Sequence, residues 1–225
     1  MPEMIPVTID GIATTVPKET TVLDAARKLG IEIPTFCHHD PVEPYAACRI
    51  CVVEVDEGRG KKRVVPSCTF PIRGPLTVET ASPRVVRDRK MLAMLELARC
   101  SKHEPARALA AKVGVTEIHP RLTVHDDDCI LCGLCVRVCR EVVGADALGF
   151  EGRSTRRRAV SPFDAETAKC IACGACAFVC PTQCIPLVDE KGTRKLPRWH
   201  REVPLADLDK LTFQQLPPGG MPNPK

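Results

Sequence analysis

Apolar and polar positions alternate with period two near the start of the chain, with Ile5, Val7 and Ile9 separated by Pro6 and Thr8. That is the pattern of a half-buried strand. Asp10-Gly11 follows as a two-residue turn signal, and Ile12 to Val16 run back, so the spacing predicts a hairpin over 5–16. The period then changes. Thr20 or Thr21 can cap a helix through residues 22–29, with Gly30 as its stop. An extended stretch over 31–36 leads to Cys37, and strand-like runs follow at 52–55, 63–66 and 76–80. Hairpin, helix and further strands predict a small α+β domain.

Ser82-Pro83 begins the next helical pattern, with proline in the first turn. Val85, Val86, Met91, Leu92, Leu95 and Leu97 give it an apolar side to about Arg99, and a second short helix is expected over 105–113. Beyond them the sequence repeats itself. The eleven residues from Cys129 to Cys139 match those from Cys170 to Cys180 at seven positions, and three more exchange one aliphatic residue for another. A duplicated half-site accounts for this. After Val188 the chain is rich in Pro, contains the only Trp (Trp199) and nears its end in Pro217-Pro218-Gly219-Gly220. Too few apolar residues are present for a domain, so this arm is expected to order on a partner surface. The expected divisions are 1–81, a helical linker over 82–120, 121–190, and a docking tail over 191–225.

Charge narrows the function classes. The net charge is +4, and residues 1–110 and 111–225 each carry 16 basic and 14 acidic side chains. The densest basic run, Arg153-Ser154-Thr155-Arg156-Arg157-Arg158, reads as a solvated or partner-facing loop, and no nucleic-acid footprint emerges. Met1-Pro2-Glu3-Met4 shows no basic and apolar leader, and no apolar run approaches the ~20 residues of a membrane span. A cytoplasmic protein with reduced thiols is the expectation, in which clustered cysteines read as metal ligands.

Fourteen cysteines are present, and twelve fall into three sets. Cys170, Cys173, Cys176 and Cys180, followed by Pro181, form the two-cluster ferredoxin run in which the fourth cysteine serves the other cluster. Three thiolates spaced by two residues lie on one tight loop, and Gly133 and Gly174 let backbone N–H groups approach sulfur. By that logic one 4Fe–4S cluster takes Cys129, Cys132, Cys135 and Cys180. The other takes Cys170, Cys173, Cys176 and Cys139. The first set, Cys37-x10-Cys48-x2-Cys51-x16-Cys68, shares with plant-type 2Fe–2S sites a ligand-bearing loop plus a distant fourth cysteine, although its first gap is longer. Zinc is the rival, awkward for the triplets and more serious for this first set. A β-grasp reading of the N-terminal domain favours 2Fe–2S. His38 and His39 read as loop residues beside that site, and Cys100 and Cys184 as buried thiols.

The order of these sets, with Arg140-Glu141 where simple ferredoxins have proline, resembles the N-terminal region of the large iron–sulfur subunit of respiratory complex I. It is more similar still to the small diaphorase iron–sulfur subunit of soluble NAD-reducing hydrogenases. Iron-only hydrogenases and some NAD-linked formate dehydrogenases share the arrangement. The resemblance spans about residues 5–190. It implies a relay subunit of an NAD(P)-linked oxidoreductase, between a flavin- and NAD-binding subunit and a catalytic subunit. Those relatives usually carry a His-x3-Cys-x2-Cys-x5-Cys site in the linker. Here the linker offers only Cys100, His103 and His119, so that further cluster is expected to be missing.

No Gly-rich dinucleotide fingerprint, P-loop or nucleophile–base pair is visible, so neither flavin nor NAD is expected to bind this chain and no catalytic residue is named. Two other readings stand beside the relay: a free-standing multi-cluster ferredoxin, and a zinc-holding structural adaptor.

Overall fold

The computed structural model describes residues 3–58, 60–164 and 167–185. The chain divides into two compact units, Met1–His38 with Pro44–Cys132, and His39–Glu43 with Gly133–Lys225. The expected docking tail lies outside the described residues.

The first unit is built on a five-stranded mixed sheet. Strands β1 (Met4–Ile9), β2 (Ile12–Pro17), β3 (Val52–Asp56), β4 (Arg63–Pro66) and β5 (Leu76–Glu79) lie in the order β2-β1-β5-β3-β4. β1 pairs antiparallel with β2 and parallel with β5, while β3 runs antiparallel to both β4 and β5. Asp10 (φ 48°) and Gly11 (φ 83°) make the tight turn, and Ile5, Val7 and Ile9 point into the core as their alternation predicts. Helix α1 (Val22–Lys28) covers that core with Val22, Leu23, Ala25 and Ala26. Its cap is Thr21, whose Oγ1 accepts from Asp24 N–H at 3.1 Å. The first turn of α1 is tied to a later segment, because Leu23 N–H donates to the Ser67 carbonyl and Val22 N–H to that of Phe70.

Helix α2 (Pro83–Arg99) starts at Ser82, whose Oγ accepts from Val85 N–H, and α3 (Glu104–Lys112) packs against it. The buried stripe of α2 is narrower than its sequence suggests. Val85, Arg89, Ala93 and Leu97, each four residues apart, face inward, whereas Val86, Met91 and Leu95 are exposed. Proximity to β3 selects the stripe, and the Arg89 guanidinium fits because Nη2 donates to the Val52 carbonyl at 2.7 Å. Among the described residues no helix is long and apolar enough to cross a membrane.

The second unit holds short elements: α4 (Leu134–Arg137), a π turn at Val138–Val142, a hairpin of β6 (Gly149–Glu151) with β7 (Arg158–Val160), and α5 (Ala175–Phe178). The arginine-rich run forms the hairpin's tip, with Arg157 stacked 4.1 Å over the Phe150 ring and Arg158 paired with Glu151 at 3.0 Å. Gly152 is required there, since a Cβ would lie 2.4 Å from the Arg156 carbonyl oxygen. Segment His39–Glu43 belongs to this unit: Glu43 N–H donates to Glu141 Oε2 at 2.8 Å, and Arg137 Nη1 donates to the Glu43 carbonyl.

Candidate metal centres

The first cysteine set is assembled by sheet register. Val52 of β3 pairs with Pro66 of β4, so Cys51, just before one strand, meets the segment just after the other. Ser67 N–H donates to the Cys51 carbonyl at 3.1 Å, and the Cys51 and Cys68 sulfurs stand 3.4 Å apart. Cys37 and Cys48 form a second pair, in which Cys48 N–H donates to Cys37 Sγ at 3.4 Å. Ala46 and Arg49, both at positive φ, turn the loop that brings Cys48 round. All four thiols are buried.

Their proton affinities diverge within the set. The hydrogen bond to Cys37, then burial, raises the Cys48 pKa. The contact with Cys68 lowers that of Cys51 although burial opposes it, and the same contact raises Cys68. Four buried thiolates are unsustainable without cations, because each charge loses several kcal/mol of hydration. A group supplying positive charge to sulfur is what this donor set fits. Ser67 strengthens the fit: its hydroxyl is fully buried and has no partner among the described residues, yet it neighbours the Cys51 sulfur.

His38 Nε2 lies 3.3 Å from Arg27 Nη1, and His39 meets the Phe178 ring edge-on with centroids 6.2 Å apart.

The duplicated runs share a backbone as well as a sequence. Leu131 and Ala172 both adopt left-handed φ (54° and 53°), as do Gly133 and Gly174 (77° and 74°), and a short helix follows each glycine. The turn points Leu131 N–H at Cys129 Sγ, 3.3 Å away. After the helices the copies part. Pro181 lacks an N–H and the second run leaves its helix, whereas Arg140 continues the first run into the π turn. Cys139, on that turn, accepts from Ala147 N–H at 3.3 Å and lies close to the second run. Burial raises the Cys176 pKa to about 11, and the Cys173, Cys139 and Cys170 charges add to it. Cys173 is raised by burial too, with Cys139 and Cys170 among the contributors. Cys139 and Cys170 thus both act electrostatically on Cys173 and Cys176. Cys180 contacts Cys184 at 3.5 Å, a bond that lowers its pKa to about 5 against the opposing effect of burial.

In the linker, Cys100 is completely buried at the end of α2, and burial followed by the Cys129 charge pushes its pKa to about 12. His103 Nδ1 pairs with Asp128 at 3.3 Å, and His119 Nδ1 accepts from Arg121 N–H. Arg99 donates to the Cys129 carbonyl at 2.8 Å and pairs with Asp127, fixing the approach to the first run. Among the described residues, no three His, Cys, Asp or Glu side chains gather into a site for a single metal ion. Ser67, Arg89 and Thr182 were not singled out by sequence; for Ser67 and Thr182 the only signal was a cysteine one or two positions away.

Comparison with known proteins agrees with the two cysteine regions. Residues 2–83 match the 2Fe-2S iron-sulfur cluster binding domain, and residues 122–187 match the 4Fe-4S dicluster domain. An NADH-quinone oxidoreductase subunit of Rhizobium meliloti is 35% identical over 79% of this chain and 23% of its own length. NADPH-Fe(3+) oxidoreductase subunit alpha of Geobacter sulfurreducens is 34% identical over 80% of this chain and 24% of its own. For NADP-reducing hydrogenase subunit HndD of Solidesulfovibrio fructosivorans the identity is 31%, covering 96% of this chain and 40% of the relative. The chain therefore spans well under half the length of these relatives. A crystal structure of NAD+-reducing [NiFe]-hydrogenase in the H2-reduced state superposes with a TM-score of 0.57 at 29% identity, covering 70% of this chain and 75% of that one.

Proposed function

From the premise that this chain carries a 2Fe-2S domain and a 4Fe-4S dicluster domain and resembles the iron–sulfur subunits of NAD(P)-linked oxidoreductases, we propose that it relays single electrons within such a complex. The flavin- and NAD-binding partner and the catalytic partner belong to this reading, as do a cytoplasmic location and divisions near residues 82, 121 and 191. So does a β-grasp N-terminal domain, which the hairpin, α1 and the mixed sheet support.

One 2Fe–2S and two 4Fe–4S clusters supply the chemistry, since each accepts and returns one electron at a time. Cys37 with Cys48 holds one iron of the smaller group, and Cys51 with Cys68 holds the other. The Cys51–Cys68 sulfur contact and the Cys48 N–H bond to the Cys37 sulfur support this assignment. Cys139 completes the set of Cys170, Cys173 and Cys176; Cys180 completes that of Cys129, Cys132 and Cys135. The Ser67 hydroxyl and the Leu131 and Ala147 amides stand where they can donate to ligand sulfurs, which favours the more negative, reduced state.

The observation that carries the proposal is the gathering of four buried thiols beside the fully buried Ser67 hydroxyl, which neighbours the Cys51 sulfur. Anaerobically purified protein is expected to contain about ten irons per chain, and EPR of the reduced protein to show one 2Fe–2S and two 4Fe–4S species. Colourless protein with stoichiometric zinc overturns the reading. Recovery from the native host as a free monomer, without flavin-containing partners, overturns its subunit part.

A further inference from the structure

Cys184 stands outside the twelve cysteines assigned to iron, and its position is not that of an ordinary packed thiol. Pro181 ends the helical path after Cys180, and the chain folds back at once: Gln183 N–H donates to the Cys180 carbonyl at 3.1 Å, with Gln183 itself at φ 53°. A non-glycine residue adopts that left-handed region only at a cost in backbone strain. What the strained turn achieves is a sulfur-centred cluster of donors. It sets Cys184 Sγ 3.5 Å from Cys180 Sγ and Thr182 Oγ1 3.6 Å from the same atom. Thr182 is almost completely buried, at 1% exposure.

We propose that Cys184 and Thr182 are positioning residues that donate S–H and O–H hydrogen bonds to the Cys180 sulfur and so raise the reduction potential of the cluster that sulfur holds. This rests on the reading that Cys180 ligates iron. In the free protein either member of each contact can donate. An iron-bound thiolate carries no proton, so both contacts then run one way, toward Cys180. Reduction adds negative charge that is shared by the cluster sulfurs, and donors aimed at those sulfurs stabilise the reduced state more than the oxidised one. Two side-chain donors on a single ligand set Cys180 apart from Cys139, the corresponding terminal ligand of the other 4Fe–4S set, for which the described contact is the Ala147 amide.

The test is an EPR-monitored redox titration of the full chain, with iron counted in every variant. Cys184→Ala is expected to shift the reduction equilibrium of one 4Fe–4S cluster about tenfold toward the oxidised form, a fall of about 59 mV for one electron. Cys184→Ser, which keeps a donor, restores most of the shift. Thr182→Val keeps shape without the hydroxyl and moves the same cluster in the same direction. Iron content stays at the wild-type value in all three. Unchanged potentials in both Cys184→Ala and Thr182→Val overturn the inference. So does loss of four irons in Cys184→Ala, which makes Cys184 itself a ligand. Cys180→Ala separates the two levels: loss of one 4Fe–4S cluster supports the ligand reading, and full retention of iron defeats it and this inference with it.

Discussion

Arg89 is a buried cation held by the Val52 carbonyl, and replacing it tests how α2 supports the cluster loop. Its Nη2 donates at 2.7 Å to Val52, the residue after Cys51, and its Nε has no partner among the described residues. Burial pulls the guanidinium pKa down, while the Cys51 and Asp10 charges hold it up. Arg89→Met keeps most of the stem's volume and removes the donor. Losing a hydrogen bond from a charged donor costs roughly 1.5–3 kcal/mol, and the abandoned carbonyl adds to that. Release of a poorly paired buried charge returns part of the loss. The expected net is about 2 kcal/mol, roughly 30-fold in an equilibrium between intact and opened states. Metal loss makes equilibrium unfolding ill-defined, so the measurement is the rate of visible bleaching in guanidinium under anaerobic conditions. The Met variant is expected to bleach some ten- to 30-fold faster, and Arg89→Lys to recover part of the difference. A Met variant that bleaches no faster than wild type refutes the reasoning, because burying the cation then costs as much as its bond returns.

Glu96, also on α2, has its pKa raised to about 7 by burial, with Arg99 opposing and the Cys37 and Cys129 charges reinforcing. A carboxyl raised in the folded state binds more protons folded than unfolded. Its penalty is absent below the unfolded value near 4.5, grows between there and about 7, and is complete above. Glu96→Gln is therefore expected to slow bleaching at pH 8, by up to about 3 kcal/mol, and to change nothing at pH 4.5; equal effects at both values contradict this. Asp10 accepts from Thr80 N–H at 2.8 Å and Thr80 Oγ1 at 2.5 Å, closing the β1–β2 turn onto the end of β5. Asp10→Ala loses both bonds and places alanine at φ 48°, for about 3 kcal/mol in all. Asp10→Asn is expected to retain about half of that in the same assay, and equal loss in the two variants removes the charge from the account.

Much of the first unit was legible because its signals are local. Asp10-Gly11, the Thr21 cap and Ser82-Pro83 act within a few residues of themselves, and hairpin, α1 and α2 lie where those residues put them. The inward side of α2 was not legible. Val86, Met91 and Leu95 satisfy a helical period as well as Val85 and Leu97 do, and only the neighbouring sheet decides between them. The cysteine sets were visible as spacing. Their partition into Cys37 with Cys48 and Cys51 with Cys68 depends on the β3–β4 register, a contact between distant residues. Ser67 and Thr182 were missed because a hydroxyl near a cysteine is common in sequence; burial and distance give these two their meaning.

The paired backbone turns carry a consequence for how such a site changes over generations. At equivalent points of the two copies, Leu131 and Ala172 hold the same left-handed φ with side chains of different size. Their common contribution is the direction of a peptide group, which no substitution short of proline deletes. Neutral drift can therefore rewrite these positions while the dipoles around sulfur stay as the duplication left them. Divergence between the copies had to enter where a main-chain atom is truly gained or lost. Arg140 against Pro181 is such a place, and there the once-identical halves take separate paths.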